Sequence, residues 1–181
     1  LPLDMASQEG WDYWTDMNFC LEFALENRMI MLREIERAMS NVLGAGGFQW
    51  GETINRNHNH ATERDGMTIH RKGATHAEEG MMGVIPGNMR DGSFIVKGKG
   101  NPDSMCSSSH GAGRVLSRKK AKATLDLQEF RDETSKRVTN YTNAVLDEAP
   151  KAYKDIFEVM ALQSDLVEVT DRVIPILNIK G

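Results

Sequence analysis

From Trp11 to Leu43, apolar side chains return every three or four residues. Trp11, Trp14, Leu21, Leu25, Leu32, Ile35, Met39 and Val42 follow a 3.6-residue repeat. That spacing predicts one long helix of about 45–50 Å at 1.5 Å per residue, with its Met and aromatic residues as a core stripe. Gly44, Gly46 and Gly47 stop it. Between Phe48 and Arg114 the pattern changes to short β-like pieces separated by turn residues. Met67-Thr-Ile-His70 and Ser93-Phe-Ile-Val96 read as strands, and Arg64-Asp-Gly66 and Ile85-Pro-Gly87 read as turns. Beyond the basic run Ser117-Arg-Lys-Lys-Ala-Lys122, Asp126-Leu-Gln-Glu129 has the form of a capping box opening a helix. Pro150 suits another helix start, with Tyr153, Ile156, Val159 and Met160 as the buried face. The stretch 166–179, rich in Val and Ile, predicts a terminal strand in which Pro175 is confined to an edge or bulge. No repeat or low-complexity linker divides the chain. The expectation is one α+β domain over residues 1–181, with mixed short-stranded sheets flanked by helices.

Composition narrows the class. At 181 residues and 40% hydrophobic content the chain can bury a real core. It has no apolar run near the ~18–20 residues of a membrane helix, so no membrane partner is expected. Its start lacks the basic, apolar, small-residue order of a secretory signal. Cys20 and Cys106 permit at most one bridge and follow no zinc spacing, which excludes a disulfide scaffold or zinc finger and favours a reducing, cytoplasmic setting. The opening Leu1-Pro2-Leu3 has no initiator Met, which leads us to expect part of a longer product.

The averages conceal an uneven layout. Fourteen of the 16 glycines and all five histidines fall between Gly44 and Gly113. The net charge is −4, yet residues 90–122 hold eight basic and two acidic side chains, a local excess of six. Binding responds to the local field, so an acidic total does not exclude a polyanionic ligand.

Within that stretch, Ser107-Ser-Ser-His110-Gly-Ala-Gly-Arg114 carries the most chemistry. Small residues on both sides of a lone His let backbone amides approach a ligand and cradle phosphate oxygens. Arg114 adds a bidentate cation. Chemistry alone leaves two readings: a phosphate site in which His110 is acid, base or nucleophile, or a flexible surface turn. Asn57-His58-Asn59-His60 also has two readings. On a strand His58 and His60 share a face and can bind one metal; on an irregular segment they are surface or hydrogen-bonding histidines. His70-Arg-Lys-Gly-Ala74, Ile85-Pro-Gly-Asn-Met89 and Gly98-Lys-Gly-Asn101 suit anion contacts and ordinary hairpin turns equally. Cys106, in the Ser-rich stretch, has two readings as well: a reactive thiol if Arg or His stands near it, or a buried, inert one.

Taken in order, these segments resemble the C-terminal half of the RtcB family of RNA ligases. The resemblance rests on His58-Asn59, His-Arg-Lys-Gly-Ala (70–74), Val-Ile-Pro-Gly-Asn-Met (84–89), Ser93-Phe-Ile-Val and Ser-Ser-Ser-His-Gly-Ala-Gly-Arg-Val-Leu-Ser-Arg (107–118). Ala-Tyr-Lys-Asp-Ile (152–156), Gln-Ser-Asp-Leu-Val-Glu-Val (163–169) and the closing Lys180-Gly181 complete it. It implies joining of RNA ending in a 3′-phosphate or 2′,3′-cyclic phosphate to RNA with a 5′-hydroxyl, in tRNA splicing or RNA repair, using GTP and two Mn²⁺ ions. His110 is then the nucleophile, forming a GMP-histidine intermediate. The resemblance makes His58 a Mn²⁺ ligand and Asn59 a guanylate contact. Pro86, Gly87, Asn88, Met89 and Ser93 become a nucleotide-binding turn, and His110, Gly111, Ala112 and Gly113 the phosphate loop. Tyr153 stacks near guanine and Lys180 contacts the base. Arg114, Arg118, Lys119, Lys120 and Lys122 form, on charge alone, a track for RNA phosphates.

Two departures stand out. Asn88 and Arg90 occupy positions where the family has Ser and Gly. The family's remaining metal ligands, an Asp, a Cys and two His, belong to an N-terminal half outside these 181 residues. The expected partners are therefore RNA ends, GTP and that half, in the same or another chain. Two further readings differ in class: a truncated, catalytically inactive relative acting as an RNA-binding or interaction module, and a metal-dependent nucleotidyltransferase or phosphohydrolase using the same His on another substrate.

Overall fold

The computed structural model describes residues 3–44, 49–135 and 137–180. The expected helix-stopping Gly46 and Gly47 and the closing Gly181 lie outside them. Helix α1 (Gln8–Leu43) is nucleated by Ser7, whose side chain accepts the Gly10 N–H at 3.1 Å. It ends at Gly44, in the left-handed region at φ 63°. Its 36 residues span about 54 Å.

The helix confirms the periodicity but not its assignment as core. Among its residues only Gly10 is buried, while Trp11, Phe19, Phe23, Ile30, Met31 and Ile35 are more than half exposed. Periodicity reports which residues share a face, and burial depends on what lies opposite that face. Polar or sulfur contacts join α1 to the β region: Tyr13 Oη to His70 Nε2 at 2.6 Å, the Ala61 N–H to Met17 Sδ at 3.1 Å, and Arg28 Nε to Asn55 Oδ1 at 3.0 Å.

Strands β1 (Asn59–Arg64) and β2 (Met67–Lys72) form an antiparallel hairpin around Asp65 and Gly66, both at positive φ, as the turn signal predicts. β3 (Ala74–His76) pairs antiparallel with β6 (Ser107–Ser109). The third sheet, in order β4-β5-β7, joins β4 (Met82–Pro86), β5 (Ser93–Gly98) and β7 (Val167–Val173), again antiparallel. The whole is α+β, as expected.

Three boundaries differ from expectation. Ile85 and Pro86 end β4, so the turn begins at Gly87. Pro150 opens only a 3₁₀ turn, and helix α4 (Ile156–Ala161) starts after Asp155, whose carboxylate accepts the Phe157 N–H. The terminal strand ends at Val173: the next residue precedes Pro175, and that ring offers no donor to a ladder. Helix α2 (Arg118–Thr124) is capped by Ser117, and α3 (Leu127–Glu133) by Asp126, which accepts the Glu129 N–H at 2.8 Å.

Two hydrophobic clusters result. In the first, Ile85, Phe94, Val96, Ala112, Ile156, Met160 and Val167 pack the third sheet against α4. In the second, Met89, Phe130, Val138, Val145, Leu146 and Ala149 pack the 89–92 turn against α3 and the 145–149 segment. Burying a side chain the size of Ile85 or Ile156, both fully buried, contributes about 1.5–3 kcal/mol.

Candidate nucleotide and phosphate site

The two clusters flank one loop system. Between Pro86 and Ser93, the last and first residues of paired strands, Gly87 N–H donates to Gly92 O at 2.8 Å and Gly92 N–H to Asn88 O at 3.0 Å. Gly92 stands at φ 82°, and a Cβ there would sit 2.1 Å from Val173 O, so the tight turn requires glycine. Asn88 Oδ1 accepts the N–H groups of Arg90 and Asp91, each at 2.9 Å, and Nδ2 donates to Asp91 Oδ2 at 2.7 Å. Arg90 grips the same carboxylate through Nε at 2.8 Å and Nη2 at 2.9 Å. The Arg90 hydrogen bond, opposed by burial, holds the Asp91 carboxyl below its usual range. The Asn88 and Arg90 departures thus brace the turn from within.

His110 follows directly after β6. Its N–H reaches Gly73 O at 3.4 Å, and Gly73, at φ 79°, has no Cβ to crowd the imidazole: one would lie 3.7 Å from Nδ1. Ala112 N–H donates to Pro86 O at 3.0 Å, which ties the two loops together. Between them lies a cavity of about 440 Å³. Pro86, Gly87, Asn88, Met89 and Ser93 line one side and His110, Gly111, Ala112 and Gly113 the other; Tyr153 and Lys180 complete it. Met89 is also a core residue, 8% exposed.

His58 and Asn59 fall elsewhere. His58, one residue before β1, stacks on His110 with ring centroids 4.9 Å apart and planes at 19°. Asn59 lines a separate cavity beneath α1, with Tyr13 and His70. His58 and His60 do not converge on one point. His60 is buried and its Nε2 lies 2.7 Å from His76 Nε2, while His76 Nδ1 meets Glu78 Oε1 at 2.9 Å. Burial, with the neighbouring His76 and Arg71, lowers the His60 pKa to about 4. The sequence reading does not contain this His60–His76–Glu78 row; it joins the β1–β2 hairpin to β3, which pairs with the distant β6, and only the alternation His58, His60 hints at it.

The basic run is not a free cationic track. Arg118 donates to Asp147 Oδ2 at 2.7 Å and also pairs with Glu148, and Lys122 Nζ lies 3.3 Å from Asp147 Oδ1. Arg114 bonds Tyr153 Oη at 3.0 Å, stacks over that ring at 4.8 Å and donates to Asp147 O. Against burial, which raises it, Arg118 and Lys122 hold the Asp147 carboxyl below its usual value. Burial, reinforced by Glu148, pushes the Tyr153 phenol up to about 12. Asp147 and Glu148 sit some thirty residues beyond the run, so a charge count along the chain misses them. Lys119 and Lys120 make no ion pair among the described residues.

No group of three or more His, Cys, Asp or Glu side chains among the described residues is arranged to hold a metal ion. His58 alone does not fit a two-ion manganese site, because one ligand cannot replace enough of a cation's hydration. Cys106 is buried and Cys20 exposed, both as free thiols. No described helix is long and apolar enough to cross a membrane.

His110 thus stands between a glycine loop and a braced polar turn, in the wall of one cavity. The chain belongs to the RtcB family: the family model described as tRNA-splicing ligase RtcB matches residues 1–181. Among similar proteins, RNA-splicing ligase RtcB1 of Escherichia coli ATCC 25922 is 39% identical over 185 residues, covering 96% of this chain and 45% of that protein. RNA-splicing ligase RtcB of E. coli K12 is 38% identical with the same coverage. The tRNA-splicing ligase RtcB of Nanoarchaeum equitans is 28% identical over 206 residues, covering 97% of this chain and 43% of that protein. The chain spans about half the length of the curated relatives it matches.

Proposed function

We propose that this chain is the C-terminal catalytic portion of an RNA ligase that joins 3′-phosphate or 2′,3′-cyclic phosphate ends to 5′-hydroxyl ends through a guanylated His110. The observation that carries this reading is the meeting of eleven expected nucleotide residues around one cavity with His110 in its wall. The names of the E. coli and N. equitans relatives, RNA-splicing and tRNA-splicing ligases, support the same substrate class.

The chemistry follows from the residues. His110 Nδ1 is buried and without a partner, so Nε2 is the nitrogen that attacks the α-phosphorus of GTP. A P–N bond forms, the bond to the bridging oxygen breaks and pyrophosphate leaves. An oxygen of the RNA 3′-phosphate then displaces the imidazole and takes the guanylate. Finally the 5′-hydroxyl attacks that 3′-phosphorus, GMP leaves and the hydroxyl proton goes to solvent. The N–H groups of the glycine loop and the cation of Lys180 offset the negative charge in the pocket. Tyr153 supplies a ring for the base. Manganese, which the resemblance implies, requires ligands beyond His58.

The test is incubation of the ligase, with its N-terminal half present, with α-labelled GTP and Mn²⁺. Covalent label that disappears in His110→Ala is expected. Label that persists in that variant removes His110 from the nucleophile role. A second reading, an inactive relative serving as an RNA-binding or interaction module, draws on the incomplete metal donor set among the described residues; it predicts RNA binding with no label at all.

A further inference from the structure

We propose that a second cavity beside His110 is a subsite for a terminal phosphate group, held by Arg56 and Arg28. This rests on the reading of His110 as guanylate carrier, which brings phosphates to the imidazole from two sources: the 3′ end of RNA and the pyrophosphate end of GTP.

The cavity measures about 320 Å³, and Arg28, Asn55, Arg56 and His58 line it. Pro86 and His110 line both this cavity and the glycine-rich one. The imidazole therefore stands where the two meet, and a phosphate held in the second cavity has access to it. Arg56 Nε is buried with no hydrogen-bond partner. The other bond of that guanidinium is local, from Nη1 to the carbonyl of Asn55 at 2.7 Å. A buried, unsatisfied guanidinium nitrogen favours arrival of an anionic acceptor. Arg28 enters from α1, and its Nε is tethered to Asn55 Oδ1 at 3.0 Å. One asparagine thereby positions both arginines.

The charge balance differs from that of the first cavity. There, Arg114 and Arg118 pair with Asp147 and Glu148. Among the described residues neither Arg28 nor Arg56 pairs with a carboxylate, and no acidic side chain lines the second cavity. Two uncompensated guanidinium forks suit phosphate oxygens in bidentate geometry.

The experiment is a fluorescence titration of the full 181-residue chain with an oligoribonucleotide ending in a 3′-phosphate and its twin ending in a 3′-hydroxyl. Inorganic pyrophosphate serves as competitor. The wild type is expected to prefer the 3′-phosphate RNA by about tenfold or more. Arg56→Met and Arg28→Met each remove most of that preference and leave the 3′-hydroxyl affinity unchanged, while Arg56→Lys keeps part of it. Pyrophosphate that binds the wild type but not Arg56→Met, with no preference between the RNAs, assigns the subsite to the nucleotide tail instead and still supports it. Equal or undetectable binding of both RNAs, together with pyrophosphate binding that ignores both arginines, overturns the proposal. Circular dichroism verifies each fold, and if Arg56→Met unfolds, Arg28→Met and Arg56→Lys decide the matter. Guanylylation is read separately, on the ligase with its N-terminal half present: phosphate preference without covalent label there refutes the ligase reading alone, and label without preference refutes the subsite alone.

Discussion

Asp147→Asn isolates the electrostatics of the basic cluster beside the His110 cavity. The Asp147 side chain is 6% exposed and receives Arg118 at 2.7 Å and Lys122 at 3.3 Å, while those cations are 67% and 45% exposed. A dry bond to a charged partner is worth about 1.5–3 kcal/mol, and solvent around the two cations screens much of it. The substitution keeps shape and one acceptor, so we expect a loss of about 2 kcal/mol in urea unfolding at neutral pH. The pH dependence gives the sign. Asp147 titrates below its ordinary value of 3.8 in the fold, so its contribution is present above about pH 4 and is lost as pH falls through the folded value. The gap between wild type and variant should therefore be constant near neutrality and close in acid. The variant also releases Lys122, while Glu148 still holds Arg118, so its affinity for single-stranded RNA should rise and the log–log salt slope steepen by about 0.7 per phosphate newly engaged. Equal stability at neutral pH, or a gap undiminished at about pH 3, refutes the ion-pair account.

The 181 residues alone, incubated with GTP and Mn²⁺, should give no guanylate adduct by intact-protein mass spectrometry; a robust adduct would mean that these residues complete a metal site unaided. Gly92→Ala forces a Cβ against Val173 O at a positive φ and should cost about 1–3 kcal/mol, read as a lower denaturation midpoint. For His60, whose pKa is lowered to about 4, the unfolded chain binds the extra proton; stability is full above about pH 6.5 and falls by about 2–3 kcal/mol as pH drops to about 4. NMR titration of the His60 ring protons, and a flatter stability profile in His60→Gln, check it.

Much of the fold is local and therefore legible. The repeat from Trp11 to Val42, the Asp65-Gly66 turn and the Asp126 cap each depend on neighbours within a few residues, and each forms as read. What the α1 stripe covers is not local, and its aromatic residues proved exposed. The site divides in the same way. The glycine loop around His110 and the turn at Pro86 are recognisable as separate strings, but the Ala112 N–H to Pro86 O bond and the Ile85–Ala112 cluster that join them are encoded by no sequence spacing. Likewise, neutralisation of Arg118 and Lys122 comes from Asp147, a residue in another element.

The turn from Gly87 to Gly92 touches both hydrophobic clusters, since Ile85 before it belongs to one and Met89 within it to the other. It works as a mechanical link between two units that otherwise bury their apolar surface separately. A nucleotide seated against this turn would bind only where both clusters are formed, so it would protect amides in both from solvent exchange. Loosening either cluster, even far from His110, would register first as weakened nucleotide affinity.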